Sequence, residues 1–350
     1  MPSEVPAARL RALFSSQLAQ YLFSGVLSAF FLWIAFRGTD FPTLFGLMRD
    51  ANYWWIMGMF ICLLASHLVR AWRWRFLLDP IKRGIGLRNL FAGVMIGYLF
   101  NNILPRAGEL ARPYALGHME SISRSSAFGT IVVERMIDVL CFLILVALMP
   151  LVYNGALLES FPWLRRTGIL ITAATAAGLA GLVALMARRD WTDRLLEPVG
   201  RFLPSGLRSR VNRIVHAFLD GFLFVKDPKL VAVIAASSAV IWFLYILMIY
   251  VAFFAFGLGD LGLGGALVVE AISSIGMALP TPGGTGTYHA FTSQTLNKLF
   301  QVAMPVALSF ATVTHAVTFI GVSIVGLWYF LRDRIRVAEV VSRKREGNDR

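Results

Sequence analysis

LPRAG at residues 104–108 and LPTPG at residues 279–283 share the pattern L-P-x-x-G, at an offset of 175 residues in a chain of 350. Each stretch ends an apolar run, 90–104 or 266–279, that is too short to cross a bilayer comfortably, because a spanning helix needs about 20 apolar residues. Proline removes a backbone donor and glycine frees the backbone, so each helix is expected to break here. Paired short segments with such breaks in two halves of a membrane chain are typical of inverted-repeat transporters.

The composition places the chain in a membrane. Hydrophobic residues make up 57% of the chain and charged residues 15%, with a mean hydropathy of +0.67, whereas a soluble domain is about 25% charged. The net charge of +13 does not indicate nucleic acid, because Lys and Arg lie between apolar runs rather than on one soluble face. The sequence therefore predicts an all-α polytopic membrane protein with a single membrane domain over residues 1–350.

Six stretches are long and apolar enough to span a bilayer. They are residues 18–36, 53–70, 128–152, 168–187, 230–256 and 305–331. Most of the 33 Lys and Arg residues fall at the N-terminus, in 70–88, in 188–229 and after residue 331. Because positive residues favour the cytoplasmic side, these segments and both termini are predicted to be cytoplasmic, in a bacterial inner membrane.

The orientation of the spans decides where the two short runs lie. Span 53–70 ends in the cytoplasm and span 128–152 must begin there, so residues 89–127 enter and leave the membrane from the cytoplasmic side. By the same argument, residues 266–304 enter and leave from the outer side. The sequence therefore predicts six full spans plus two opposed re-entrant broken-helix hairpins, arranged as an inverted repeat.

Two further segments are predicted to contact the cytoplasmic leaflet. Within 188–229, apolar and charged residues alternate at helical spacing, which favours an amphipathic helix on the membrane surface; an ordinary soluble linker is the alternative. The sequence Trp72-Arg73-Trp74-Arg75 follows the span 53–70 and is predicted to be an interfacial anchor with lipid phosphate contacts.

Charged residues at membrane depth are the candidate functional groups. They are Arg106, Glu109 and Arg112 at the first break, and Glu134, Arg135 and Asp138 in the next span. Each unpaired charge near the bilayer centre costs about 2.5–3.5 kcal/mol, so these groups must pair, reach water or bind a charged ligand. The helical spacing of the second trio favours a supporting ion-pair network. The position of the first trio at a backbone break favours an anion site.

The second break and the residues before the first complete the predicted site. Gly283 and Gly284, after Pro282, allow close approach of the backbone and offer N–H groups to an anion, although a simple turn is the alternative. Asn101 and Asn102 are predicted to hydrogen-bond either a head group or the end of their own helix. The five histidines show no ligand spacing, so neither a metal nor a cofactor is predicted.

Four motifs, in order, resemble one family. They are Arg70-x-x-Arg73-Trp74-Arg75, then Gly97-Tyr98-x-x-Asn101-Asn102-x-x-Pro105-Arg106-x-Gly108-Glu109-x-x-Arg112, then Glu134-Arg135-x-x-Asp138, then Pro280-x-Pro282-Gly283-Gly284-x-Gly286. Together they resemble the lysylphosphatidylglycerol synthase transmembrane-region family over essentially the whole chain. The resemblance implies lipid handling, with a polar head group moved between leaflets. The chain departs from the family pattern at Thr287 and Tyr288, where a glutamate is expected close behind the glycines.

The sequence therefore predicts a lipid translocase, rather than an enzyme, that acts on a phospholipid or a polyprenyl-phosphate lipid. Arg106 and Arg112 would bind the phosphate, Glu109 would orient them or accept a proton, and Gly283 and Gly284 would close the other side. Two alternatives stay open: an integral membrane transferase that uses a lipid-linked donor, and a non-transporting scaffold. The identity of the lipid, the direction of transport, the energy source and the oligomeric state are not predicted.

Overall fold

The computed structural model describes residues 7–152 and 227–333, with three isolated helical positions between them. Its helices are α1 (Ala7–Phe36), α2 (Phe41–Asp50), α3 (Tyr53–Leu78), α4 (Leu87–Ile103), α5 (Gly108–Glu120), α6 (Arg124–Val152), α7 (Pro228–Phe254), α8 (Gly262–Ala278), α9 (Thr287–Phe300) and α10 (Met304–Arg332). Within this described part every regular element is helical, so the predicted all-α class is confirmed. Apart from these three positions, which fall within the predicted span 168–187, that span and the predicted amphipathic helix lie outside the described residues.

Several helices are long and apolar enough to cross a membrane. They are Tyr53–Leu78, Pro228–Ala255, Gly259–Ala278 and Met304–Arg332, and the bent pair Tyr21–Phe36 with Phe41–Asp50 counts as a fifth if it is one span. The chain is therefore a multi-pass membrane protein. Helix α6, Arg124–Val152, covers the predicted span 128–152. The total of six spans stays a prediction.

The sequence analysis predicted one helix too short and did not predict another. The run 266–279 belongs to a segment that begins with a 3-10 turn at Gly259–Leu261 and continues as α8, because the glycine-rich residues before it are helical rather than a loop. Helix α2 was not predicted. It follows a bend of 89°, its start is fixed by Pro42 in its first turn, and its buried residue Leu44 faces α10, where the Ser309 hydroxyl donates to the Leu44 carbonyl at 3.3 Å.

Both predicted breaks interrupt helices. Helices α4 and α5 are separated at residues 104–107, where Arg106 has a left-handed φ of 63°. Helices α8 and α9 are separated at 279–286, where Gly283, Gly284 and Gly286 have positive φ. Each pair packs against itself as a hairpin. At the first crossing, a Cβ atom on Gly108 would lie 1.9 Å from the carbonyl oxygen of Gly97, so only glycine fits.

The two halves of the described chain have matching helices. Helices α3 to α6 contain 26, 17, 13 and 29 residues, and α7 to α10 contain 27, 17, 14 and 29. In each half every helix packs against the next, while across the halves α3 packs on α7, α4 on α10 and α6 on α8. The second helix of each hairpin also ends alike, at Ser121 with φ 55° and at Gln301 with φ 57°.

Corresponding helices of the central pair run in opposite directions. The amide nitrogen of Asn52, before α3, donates to the carbonyl oxygen of Ala255, after α7, at 3.1 Å. Near the other end of the pair, Arg73 Nη1 on α3 donates to Ser238 Oγ on α7 at 2.8 Å. The start of α3 therefore meets the end of α7, which is the relation that an inverted repeat requires between its two halves.

Candidate functional site

A group of five buried charged side chains, here called the ionic cluster, joins three helices. It consists of Arg70 and Arg73 on α3, Arg112 on α5, and Glu134 and Asp138 on α6, each no more than 8% exposed. Arg112 donates from both terminal nitrogens to the two carboxylate oxygens of Glu134, each at 2.8 Å. Arg70 bridges Glu134 and Asp138, and Arg73 binds Asp138 at 2.7 Å. The cluster thus ties the first hairpin to the rest of the molecule.

Helical spacing explains how these groups meet. Arg70 and Arg73 are three residues apart on α3, and Glu134 and Asp138 are four apart on α6, so each pair shares one helix face. Helix α7 closes the fourth side, where Tyr245 accepts from Arg70 at 3.2 Å. In such a buried network, removal of one partner leaves an uncompensated charge that costs about 3–5 kcal/mol. Arg135 lies at the edge, 3.6 Å from Asp138, with 40% of its side chain exposed.

The predicted interfacial anchor Trp72-Arg73-Trp74-Arg75 is wrong for its two inner members. Because α3 continues to Leu78, Arg73 and Trp74 point into the protein and are 0% exposed, while Trp72 is 39% exposed. The Trp74 ring lies 3.7 Å from the Arg112 guanidinium carbon, and its Nε1 donates to Thr130 at 2.8 Å. The sequence signal was present, since Arg70, Arg73 and Trp74 recur at helical spacing on one face.

Four arginines of this region have buried hydrogen-bond donors without a partner among the described residues. Three arginines oppose two carboxylates in the ionic cluster, and Arg135 adds another positive charge beside it. The Nε atoms of Arg70, Arg73, Arg112 and Arg135 are buried, and none finds an acceptor among the described residues. Since nearly all buried donors in proteins are bonded to protein or ordered water, such atoms require an explanation. An anion or water entering the cluster would satisfy them.

A small cavity connects the ionic cluster with the first break. Its walls include Gly97, Asn101 and Gly108 together with Glu109, Arg112 and Arg135. Two of the three charged side chains on these walls are arginines, so the lining is net positive. Glu109 is half-buried and Arg106 is exposed beside it. Among the residues that the structure describes, neither Arg106 nor Glu109 forms an ion pair, so both side chains remain available at the break.

The two asparagines before the break tie helices together. Asn101 Oδ1 accepts from the backbone nitrogen of Gly108 at 2.7 Å, so it bonds the start of the next helix rather than the end of its own. Asn102 Nδ2 donates to the carbonyl oxygen of Phe319 at 3.1 Å and to Ser323 at 2.9 Å, both on α10. A Cβ atom on Gly283 would lie 2.8 Å from Asn102 Oδ1. The two breaks are therefore direct neighbours.

The second break is surrounded by neutral polar groups. The Gly283 carbonyl lies 2.9 Å from His315 Nε2, and the Gly284 carbonyl accepts from the Thr287 hydroxyl at 3.0 Å. Pro282 begins a short 3-10 helix, Pro282–Gly284, that contains both glycines. Thr281 bonds Thr287 at 3.0 Å. The positive φ of the two glycines, 53° and 75°, fits the predicted close-approach backbone, and an anion site on their N–H groups stays a prediction.

The sequence analysis did not identify one buried carboxyl group, that of Glu270. Glu270 on α8 is 8% exposed, and its Oε1 accepts a hydrogen bond from Ser274 at 3.0 Å. It forms no ion pair with any described residue. A single glutamate inside the apolar run 266–279 was the available signal, since ionisable residues within membrane segments are functional candidates by default.

An apolar groove of about 530 Å³ lies on the outside of the bundle, between α3, α4 and α10. Its walls include Leu64, Leu68, Phe91 and Tyr329, with Arg88 at one edge. Arg88 Nη2 lies 2.8 Å from Asp333 Oδ1, and 47% of the Arg88 side chain is exposed. The groove therefore combines an apolar surface with the Arg88–Asp333 ion pair, next to the first hairpin.

Known proteins resemble this chain. A UPF0104 membrane protein of Methanothermobacter thermautotrophicus is 29% identical over 227 residues, covering 61% of this chain and 66% of that protein. A UPF0104 membrane protein of Methanocaldococcus jannaschii is 30% identical over 113 residues, 31% of this chain and 33% of that protein. The glycosyltransferase AglD of Haloferax volcanii is 25% identical over 337 residues, 87% of this chain and 53% of that protein.

The chain thus spans between a third and two thirds of the length of these relatives. All three are archaeal, so the bacterial inner membrane stays a prediction. No solved structure matches the chain. The family profile described as lysylphosphatidylglycerol synthase TM region matches residues 21–326, which include both broken hairpins and the whole ionic cluster. The chain therefore belongs to the lysylphosphatidylglycerol synthase transmembrane-region family.

Proposed function

We propose that this protein is a lipid translocase that binds a phosphate-bearing head group at the first break. The observation that carries the proposal is a net positive cavity lined by Arg112 and Arg135, whose buried Nε donors have no partner among the described residues. The Nε atoms of Arg70 and Arg73, in the adjoining ionic cluster, are unpartnered in the same way. Guanidinium groups suit phosphate because their planar donors match its oxygens, often two at a time. A phospholipid or a polyprenyl-phosphate lipid would supply such an acceptor.

The exposed side chains at the break would make the first contact. Arg106 stands on a backbone with φ 63°, an uncommon conformation for a residue other than glycine, and its side chain is exposed at the break. Glu109 lies on the cavity wall, one helical turn from Arg112. A phosphate would pass from Arg106 toward the cavity, while Glu109 orients the arginines or takes up a proton.

The arrangement of the halves supports movement between leaflets. We infer an inverted repeat of α3–α6 and α7–α10 from the matched helix lengths and the antiparallel central pair. In such repeats the substrate site lies near the midplane, and one half rocks against the other. The two breaks adjoin through Asn102 and Gly283, so a head group at one break is close to the other. The groove lined by Leu64, Leu68 and Phe91 would hold an acyl chain.

The test is transfer of fluorescent lipids between leaflets in proteoliposomes, run beside thermal melting. We expect Arg106→Ala to slow transfer of anionic lipid roughly tenfold to hundredfold, since a hydrogen bond to a charged group contributes about 1.5–3 kcal/mol. Its melting temperature should not change, because Arg106 is exposed. Arg106→Lys should recover part of the rate. The matched control is Arg75→Ala, which removes an exposed arginine from α3.

The outcomes separate the hypotheses. Wild-type transfer by Arg106→Ala at unchanged stability would rule out its head-group role, and early melting without a transfer defect would favour a scaffold. Arg112→Ala is expected to lower stability as well as transfer, because Arg112 is a member of the ionic cluster.

A second candidate function is an integral membrane transferase that uses a lipid-linked donor. It is favoured by the 25% identity to a protein named as a glycosyltransferase, although the alignment reaches only 53% of that relative. Incubation of the purified protein with a polyprenyl-phosphate sugar and an acceptor lipid, followed by mass spectrometry, would decide. A new glycolipid would establish the transferase, and unchanged donor together with lipid transfer would exclude it.

A further inference from the structure

We propose that Glu270 is a proton-exchange site of the second hairpin, neutral while the protein is at rest and charged only while the second break is open to water. The inference deepens the proposed function, because it supplies a coupling ion for lipid movement. It rests on the surroundings of one carboxyl group and on the hydroxyl groups that lead away from it.

The surroundings of Glu270 do not support a negative charge. The side chain is 8% exposed on a membrane-embedded helix, and among the described residues one serine hydroxyl, that of Ser274, donates to it. Moving a carboxylate away from water costs several kcal/mol unless a positive partner compensates. A group in this position neutralises instead by taking up a proton.

Other titratable groups near α8 do not offer that compensation. The elements packed against α8 carry Asp260 in the preceding turn, Lys229, Tyr245 and Tyr250 on α7, Tyr288, His289 and Lys298 on α9, and the acidic members of the ionic cluster with Arg124, Arg135 and Cys141 on α6. Of these, Tyr288 lies within electrostatic range of Glu270, and its phenol is neutral at physiological pH. None of the basic groups lies within ion-pair distance of Glu270 among the described residues.

Hydroxyl groups continue from Glu270 toward the second break, about one per helical turn. Ser273 on α8 bonds Thr292 on α9 at 2.7 Å. One turn earlier on α9, Tyr288 bonds Thr314 at 3.1 Å. At the break itself, Thr281 bonds Thr287 at 3.0 Å. Hydroxyls both donate and accept, so such a column can pass a proton between the break and the carboxyl.

The chemical step is a simple exchange. A proton from water at the second break adds to the Glu270 carboxylate and gives the neutral carboxylic acid, and the reverse step returns the proton to water. No other bond is formed or broken. An opening of the break that occurs only with one protonation state would couple the proton to the head group at the neighbouring first break.

The first measurement is infrared spectroscopy of the purified protein at neutral pH. We expect a protonated-carboxyl band that is lost in Glu270→Gln and kept in the control Glu120→Gln, whose carboxyl lies in a surface ion pair with Lys82. Ser274→Ala should shift the band without removing it, because it deletes the hydrogen bond to Oε1. This second variant keeps the test informative if Glu270→Gln folds poorly. Absence of any such band in the wild-type protein would overturn the proposal.

The second measurement is lipid transfer under an imposed pH gradient. We expect the gradient to drive lipid into one leaflet with the wild-type protein and Glu120→Gln, and not with Glu270→Gln. Gradient-driven transfer by a folded Glu270→Gln would refute the coupling. If the wild-type protein transfers no lipid at any pH, the translocase proposal fails, whereas the infrared band still decides whether Glu270 holds a proton.

Discussion

The first and second hairpins have nearly the same helices but are held by different chemistry. Hairpin α4–α5 is fastened to α6 by the salt bridge between Arg112 and Glu134, inside a cluster of five charges. Hairpin α8–α9 is fastened to α10 by neutral bonds, such as Tyr288 with Thr314. The same scaffold therefore carries a buried ionic cluster at one hairpin and neutral hydroxyl pairs at the other. The shape of the hairpin does not require charge.

The largest expected effect concerns the side of the membrane from which each hairpin is accessible, since the two hairpins are predicted to open to opposite faces. Ser121 and Gln301 occupy equivalent exposed positions at the ends of α5 and α9. In a background lacking Cys62 and Cys141, we expect a cysteine at residue 121 to react with an impermeant reagent only from the cytoplasm, because of the positive-inside rule. A cysteine at residue 301 should react only from outside. Labelling of both from one face would contradict the opposed arrangement.

The next largest effect should come from the ionic cluster. Glu134→Gln leaves Arg112 buried without a carboxylate and Arg70 with Asp138 alone, so we expect a loss of about 3–5 kcal/mol in the free energy of unfolding. Thermal or denaturant unfolding in detergent measures it. The matched control is Glu109→Gln, a carboxyl on the same hairpin that has no ion pair within the described residues, and it should change stability little. Equal losses in both variants would show that the cluster adds no specific stability.

The two hairpins should differ in how well the closest approach of their helices tolerates an added methyl group. A Cβ on Gly108 would lie 1.9 Å from a carbonyl oxygen, whereas one on Gly276 would lie 3.0 Å from the nearest such oxygen. Gly108→Ala should cost about 1–3 kcal/mol or more, as overpacking does, and Gly276→Ala should cost less. Gly129→Ala is the control, since a Cβ there meets nothing within 4 Å. If Gly276→Ala melts earlier than Gly108→Ala, the order of tightness inferred for the two hairpins is wrong.

The neutral fastening of the second hairpin should be weaker than the ionic one. Tyr288→Phe removes the hydrogen bond to Thr314 and should lower stability by about 0.5–1.5 kcal/mol, the usual net value of one hydrogen bond. The double variant Tyr288→Phe with Thr314→Val should lose less than the sum of the single variants, because they share that bond. Additive losses would mean that the two hydroxyls do not act on each other.

The smallest effect should lie at the end of the first hairpin, where Glu120 closes α5. Burial raises the pKa of Glu120, but hydrogen bonds from Lys82 and Asn89 and the charge of Lys82 outweigh it, so the pKa is lower than usual. This pair therefore stabilises the protein above the ordinary glutamate pKa of about 4.3, and the contribution is lost as the pH falls through the lowered value. Glu120→Gln should cost about 0.2–1 kcal/mol at neutral pH. Melting curves recorded from neutral to acid pH should converge for the two proteins; a gap that widens toward acid would contradict this sign.

The sequence by itself determined the membrane class and the position of both helix breaks. These properties depend on local composition: apolar runs set the spans, and Pro105 and Gly283 interrupt helices wherever the chain later packs. The spacing of Glu134 and Asp138 likewise put both carboxylates on one face of α6 before any partner was known. The family resemblance added the expectation of lipid handling but no contact.

Only the tertiary structure decided which partners those groups meet. Arg70 lies 64 residues from Glu134 in the chain, so their pairing depends on how α3 and α6 pack rather than on any local pattern. For the same reason Asn102 became a tie to α10 rather than a helix cap. Glu270 shows most plainly what the sequence does not reveal. A glutamate in an apolar run looks the same in the sequence whether its partner in the fold is an arginine or a serine. Packing alone buried this carboxyl in a low-dielectric interior, where no cation of the described residues lies within ion-pair distance, and such surroundings disfavour a charge.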